Sequence, residues 1–260
     1  MTAYGDLKQG GKDLGVGFLA ALQFLTILPV RRVFSERQIG HSLVYFPLVG
    51  LAIGGLLYGL DRLFILFLPL PVGSALLIVV LVLVSGANHL DGFIDTCDGM
   101  AAGRSAKQRL EIMRDSHAGS FGVAGVCCLF LVKYVSLLFL PGADRMAAII
   151  VMVVLSRWAM VYALSAYPAA RNEGLGKAYK GQAKWWRLAV ATLIAVAVSV
   201  GLMRLWGLAV MAAIWLVVLL AAGFLSRKLG GLTGDTYGAI GEVTEVLTLI
   251  LVPLASGGYF

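Results

Sequence analysis

The sequence predicts an all-α, polytopic bundle of about seven or eight hydrophobic segments in a membrane, forming one domain over residues 1–260. Three observations carry that expectation. Hydrophobic residues make up 60% of the chain and charged ones only 13%, against roughly 25% charged in soluble domains. Apolar stretches recur at 15–30, 43–68, 72–90, 119–140, 146–167, 188–203, 208–226 and 237–256, most of them near the ~20 helical residues that cross a hydrocarbon core. The cations collect in alternate connections, as positive loops do on one side of a bilayer.

In chain order, 15–30 is short and carries Gly15, Gly17 and Gln23. It reads as a re-entrant or interfacial helix, or a tilted short span. A secretory leader fits poorly, because no small-residue cleavage pattern leads into a polar mature start. The span at 43–68 follows a loop with Arg31, Arg32 and Arg37. The uncharged run 72–90 leads into an acidic segment, and then a connection with Arg104, Lys107, Arg109 and Arg114. Spans at 119–140 and 146–167 follow. A third basic loop holds Arg171, Lys177, Lys180, Lys184 and Arg187, and a fourth holds Arg227 and Lys228. The intervening loops hold Arg62, Arg145 and Arg204.

The alternation places 31–42, 91–118, 168–187 and 227–236 in the cytoplasm. Topology thus accounts for the net charge of +7, and no nucleic-acid partner is expected. Cys97, Cys127 and Cys128 show no paired zinc spacing and read as free thiols.

Topology does not account for the acids. Eight of the fourteen carboxylates fall in two segments on the basic side: Asp91, Asp95, Asp98, Glu111 and Asp115, then Asp235, Glu242 and Glu245. The first three follow the apolar run at spacings i, i+4 and i+7, one stripe of a helix within roughly 60°. A carboxylate at a helix centre in lipid costs roughly 2.5–3.5 kcal/mol, so a shared stripe calls for a cation. Oxygen-only donors suit Mg2+.

Asp235, Glu242 and Glu245 fall on one side of a second helix and are expected to complete the metal site. Thr233 or Asp235 can alternatively cap that helix. Arg104, Arg114, Arg171 and Lys177 suit phosphate oxygens, although 104–115 also reads as an amphipathic interfacial helix and 168–179 as a solvated turn. Asp115 reads as a further ligand or a general base. His89 and His117 read as bases, ligands or polar structural contacts. Arg157 is expected to face the bundle interior toward a carboxylate, and Lys133 to snorkel. The chemistry that fits is transfer of a phosphoryl-linked group at the membrane surface. A cation-coupled transporter fits less well, because its acids belong near the midplane.

The segment Asn88-His-Leu-Asp-Gly-Phe-Ile-Asp-Thr-Cys-Asp-Gly99 resembles the His-Leu-Asp-Gly-x-x-Asp-Thr-x-Asp-Gly segment of the cobalamin synthase family. Further stretches resemble the same family in the same order: Phe24-Leu-Thr-Ile-Leu-Pro29, Phe46-Pro-Leu-Val-Gly50, Glu111-Ile-Met-Arg-Asp-Ser116, Glu173-Gly-Leu-Gly176 and Gly231-Leu-Thr-Gly-Asp-Thr-Tyr-Gly238. Each is modest alone, and six in order are specific. One departure is His117, where the family often has an arginine.

The resemblance implies an Mg2+-dependent, multi-pass inner-membrane ribazoletransferase with its site facing the cytoplasm. It would join adenosylcobinamide-GDP to α-ribazole or its 5′-phosphate, releasing GMP. The implied partners are those substrates and the lipid bilayer, with a homo-oligomer or a complex with other corrin-pathway enzymes left open. The expected metal ligands are Asp91, Asp95, Asp98, Asp235, Glu242 and Glu245. Asp95, Asp115 and His89 are the expected catalytic residues. A looser likeness to CDP-alcohol phosphotransferases and aromatic prenyltransferases leaves the other five stretches unexplained.

Overall fold

A computed structural model describes residues 15–171 and 179–257. Among the described residues there is no strand, only an isolated parallel bridge between Ala169 and Leu232. The helices in order are α1 (Gly15–Leu25), α2 (Glu36–Ser42), α3 (Phe46–Phe67), α4 (Leu70–Val84), α5 (Asn88–Ala102), α6 (Ala106–Ile112), α7 (Ser120–Leu138), α8 (Arg145–Ala166), α9 (Trp185–Met203), α10 (Leu205–Leu229) and α11 (Gly234–Ser256). Six segments are long and apolar enough to cross a membrane: 36–67, which takes in α2 and α3, then α7, α8, α9, α10 and α11.

The short α1 does not reach that length. It ends against the end of α4, where the Ile27 amide donates to the Val84 carbonyl at 2.9 Å. The segment expected at 15–30 as a re-entrant or interfacial helix, or a tilted short span, is a short apolar helix.

α8 is the centre of the bundle, with 94% of its apolar window buried. α3 can lie directly on it because Gly50 and Gly54 present no side chain. A Cβ on Gly50 would stand 2.8 Å from the Val153 carbonyl oxygen, and one on Gly54 2.8 Å from the Ile150 Cα. In lipid, where apolar side chains gain little by leaving their surroundings, such close backbone contact drives helix association. The outward faces stay apolar, with Leu66, Phe67, Leu131, Leu193 and Leu220 all exposed, as a lipid-facing surface requires.

The run 72–90 is not one straight helix. It breaks after Val84, and α5 leaves α4 at 92°. Gly86 and Ala87 make the corner with φ of +67° and +59°. A left-handed alanine is strained by roughly 1–2 kcal/mol. The corner redirects α5 away from the line of α4, and among the described residues the bent pair makes a seventh span if its two helices are taken together.

The opposite end is locked by charges that the sequence reading treated as loop residues or passed over. Arg145, at the start of α8, donates Nε to Asp61 of α3 at 2.8 Å and Nη1 to the Leu137 carbonyl at 2.7 Å, and its Nη2 reaches Ser74 of α4 at 3.5 Å. Asp61 is 1% exposed. An acid within an apolar segment needs a cation nearby, and that signal was present in the sequence.

Candidate active site

Two helix approaches build the site. A Cβ on Gly92 of α5 would lie 2.6 Å from the Asp235 carbonyl oxygen, and one on Gly238 of α11 2.9 Å from the His89 Cα. Each helix thus uses a glycine to admit the backbone of the other. The contact brings Asp91 and Asp95 together with Asp235, more than a hundred residues on. Thr233 starts α11 with a capping box, its hydroxyl accepting from the Thr236 amide and donating to Asp235 Oδ2 at 3.2 Å. The capping alternative therefore applies to Thr233, while Asp235 remains at the site.

The chain after α8 is strapped to the turn before α11. The Ala170 amide donates to the Leu232 carbonyl at 2.9 Å, and the Leu232 amide to the Pro168 carbonyl at 2.8 Å. That strap delivers Arg171, whose Nη1 meets Asp235 Oδ2 at 3.2 Å. Among the described residues, its Nε and Nη2 are buried without a partner.

These groups border a cavity of about 490 Å³, lined by Asn88, His89, Asp91, Arg171 and Asp235 and, for the rest, largely by aromatic and aliphatic side chains. Asp95 sits one helical turn from Asp91. Burial and the fields of Asp91, Asp235 and Asp98 push its carboxyl up to about 7, with Arg171 opposing. That is the electrostatic signature of a site short of positive charge. Among the described residues, no three acidic, histidine or cysteine side chains stand close enough to hold a metal ion by themselves. Mg2+ commonly takes one or two carboxylates and completes its shell with water and substrate phosphate, so this oxygen donor set fits it in that mode.

Several expected site residues are placed elsewhere. Asp98 is buried, and its two oxygens accept from the Gly119 and Gly122 amides at 2.8 Å each. It caps α7 from a neighbouring helix, since first-turn amides are otherwise unpaired. Asp98→Asn is expected to cost about 0.5–2 kcal/mol in thermal unfolding, as loss of a cap does, while the Mg2+ dependence of turnover stays that of the unmodified chain.

Glu242 and Glu245 are corrected more sharply. Lys133 of α7 donates to both at 2.8 Å, and Arg157 of α8 pairs with Glu245. The four form a buried, charge-neutral cluster inside the bundle, which leaves these glutamates engaged with protein cations and not available as the expected metal ligands. Lys133 does not snorkel, being 1% exposed. Arg157 faces the interior toward a carboxylate, as expected.

Asp115 is exposed and does not border the cavity. Its carboxylate is held below the usual range by hydrogen bonds from the His117 ring and amide, at 2.7 and 3.0 Å. His89 is buried, and burial and then Arg157 lower its imidazole to about 3, so it is a neutral polar contact at neutral pH and a weak base. Arg104 and Arg114 are exposed and stand away from the cavity lining, whereas Arg171 borders it. Lys177 lies outside the described residues. The aromatic wall of the cavity was not foreseen, because Phe24, Phe46 and Tyr179 look like ordinary apolar residues in three separate stretches.

The chain is similar over most of its length to proteins that share one name. A protein of Geotalea daltonii named adenosylcobinamide-GDP ribazoletransferase is 39% identical over 245 residues, covering 94% of this chain and 98% of its own. Proteins of the same name from Desulforamulus reducens and a Roseiflexus species are each 38% identical, covering 90% and 91% of this chain and 94% and 88% of their own. No solved structure matches. The cobalamin-5-phosphate synthase family model matches residues 17–253, and the chain belongs to that family.

Proposed function

We propose that the chain is an adenosylcobinamide-GDP ribazoletransferase that works at the cytoplasmic face of the inner membrane. The convergence of Asp91, Asp235 and Arg171 at one cavity, with Asp95 in the field of the same groups, in a member of this family, carries the reading. A hydroxyl of the α-ribazole ribose attacks the phosphorus that bears the corrinoid. A phosphoester bond forms, the diphosphate bond breaks, GMP leaves and the hydroxyl proton is released.

The chain's own groups divide the work. The unpaired guanidinium nitrogens of Arg171 suit oxygens of the diphosphate, where charge-assisted bonds are strong. One or two of Asp91, Asp95 and Asp235 would hold Mg2+, with water and substrate phosphate completing its shell, and the bound ion would neutralise charge on the diphosphate and on the leaving phosphate. Asp95, buried and crowded by carboxylates, is the acid best placed to take the hydroxyl proton. The strap from residues 168–170 to Leu232 holds Arg171 against Asp235 and keeps the phosphate end aligned. The concentration of basic residues in the loops at this end of the bundle supports a cytoplasmic orientation.

Purified protein in lipid nanodiscs, given adenosylcobinamide-GDP, α-ribazole and Mg2+, is expected to release GMP and form a corrinoid product. Chelation of the metal should stop turnover, and added Mg2+ should restore it. Folded protein that releases no GMP would sink the reading. CMP from a CDP-alcohol, or diphosphate from a prenyl substrate, would identify a different transferase.

A further inference from the structure

The cavity lining combines two chemistries. Asp91, Asp235 and Arg171 supply charge, while Phe24, Phe46 and Tyr179 form an aromatic cluster and Tyr237, Met160 and Leu164 add aromatic and aliphatic surface. Three of the rings already touch: centroids lie 4.7 Å apart for Phe24 and Tyr179, 5.7 Å for Phe24 and Phe46, and 5.9 Å for Phe46 and Tyr179. They come from α1, the start of α3 and the chain before α9. Nothing in diphosphate chemistry requires these elements to meet there. Tyr237 is 4% exposed, and its hydroxyl has no hydrogen-bond partner. A buried phenol usually finds one.

Size narrows the occupant. About 490 Å³ lies within the roughly 300–1,000 Å³ of sites that enclose drug-sized molecules. A nucleoside fits such a space. A corrin macrocycle with its axial ligand and nucleotide arm does not.

Resting on the ribazoletransferase reading, we propose that the aromatic cluster is the subsite for the flat, fused base of the nucleoside substrate. The corrinoid then stays outside the cavity and sends in only its diphosphate arm. The ribose lies between that cluster and the charged groups, so its hydroxyl points toward Asp91 and Asp235. Guanine is the other flat base in the reaction, but its edge carries several donors and acceptors. Met160 and Leu164 offer that edge nothing, and the nearby Gln23 side-chain oxygen already accepts from the Arg32 amide at 3.3 Å. Burying polar edge atoms without hydrogen-bond partners carries a desolvation cost. A fused base with few polar edge atoms loses little there, and the Tyr237 hydroxyl is a partner for one of them.

The test measures KM for each substrate separately, together with equilibrium dialysis of α-ribazole alone, for the wild type and for Phe24→Ala and Tyr237→Phe in nanodiscs. Phe24→Ala is expected to raise KM and Kd for α-ribazole by about 10-fold, the loss of one stacking face. KM for adenosylcobinamide-GDP should move by less than about twofold. Tyr237→Phe keeps the ring and should weaken α-ribazole by about fivefold, the loss of one hydrogen bond. If Phe24→Ala does not fold, Phe24→Leu and Tyr237→Phe carry the test.

A shift that falls on adenosylcobinamide-GDP overturns the proposal, as do folded variants that bind α-ribazole like the wild type. Wild-type protein that binds α-ribazole through these residues but releases no GMP supports the subsite and overturns the activity alone. Turnover with unchanged α-ribazole affinity in the variants does the reverse.

Discussion

Asp95→Asn is expected to lower GMP release by at least about 100-fold, within the range for loss of a positioned acid–base group, while the protein stays folded. The substitution keeps the shape of the side chain and removes its charge and basicity. Asp95 has the site's strongest electrostatic conflict, with burial and three other carboxylates acting against its ionised form and only Arg171 in its favour. That conflict is useless to the fold, so relieving it should leave the thermal unfolding temperature unchanged or higher. Loss of turnover with loss of stability would instead mark Asp95 as structural. Mg2+-dependent turnover within about threefold of wild type, well short of a catalytic loss, would remove Asp95 from both the metal site and the reaction.

Lys133→Met carries the largest expected effect on stability. Lys133 holds Glu242 and Glu245 at 2.8 Å each, and Arg157 holds Glu245 while reaching Ser156 at 3.1 Å and Ser85 at 3.3 Å. Removing the ammonium leaves two buried carboxylates facing one guanidinium. Breaking such a buried group by removing one partner costs about 3–5 kcal/mol. Lys133→Met combined with Glu242→Gln leaves the neutral pair of Arg157 and Glu245, and should recover more than half of that loss. Thermal unfolding of the two variants in one detergent reads the difference. Equal unfolding temperatures would mean that the charges are screened by water and that the cluster does not tie α7, α8 and α11 together.

The spans were largely legible because lipid allows few solutions. A backbone without water must satisfy its own hydrogen bonds, so long apolar runs become helices, and 119–140, 146–167 and 237–256 correspond to α7, α8 and α11. The corner at Gly86 and Ala87 was not legible. The run 72–90 carries no acidic or basic residue apart from His89, and hydropathy does not register a left-handed alanine. The acids were legible as a set but not in their roles. Spacing puts Asp91, Asp95 and Asp98 on one stripe, yet the stripe passes from the cavity to the amides that open α7, and only Asp98 reaches those amides. Arg157 was read correctly because a guanidinium in a span has nowhere else to go. Lys133 was misread because snorkelling is equally consistent with its sequence neighbours.

The sequence by itself determined the fold class, the family, and the two acidic segments that meet at the site. Composition and motif order are properties of the chain alone, and lipid translates them directly into helices. Only the tertiary structure decided which carboxylates remain at the cavity and which are consumed in holding the bundle together. Asp91 and Asp235 meet at the cavity, with Asp95 one helical turn from Asp91, because Gly92 and Gly238 let two helices touch. Glu242 and Glu245 are neutralised by Lys133, which is 109 and 112 residues away along the chain. A buried charge takes its role from the partner within about 3 Å of it, and that partner comes from another helix.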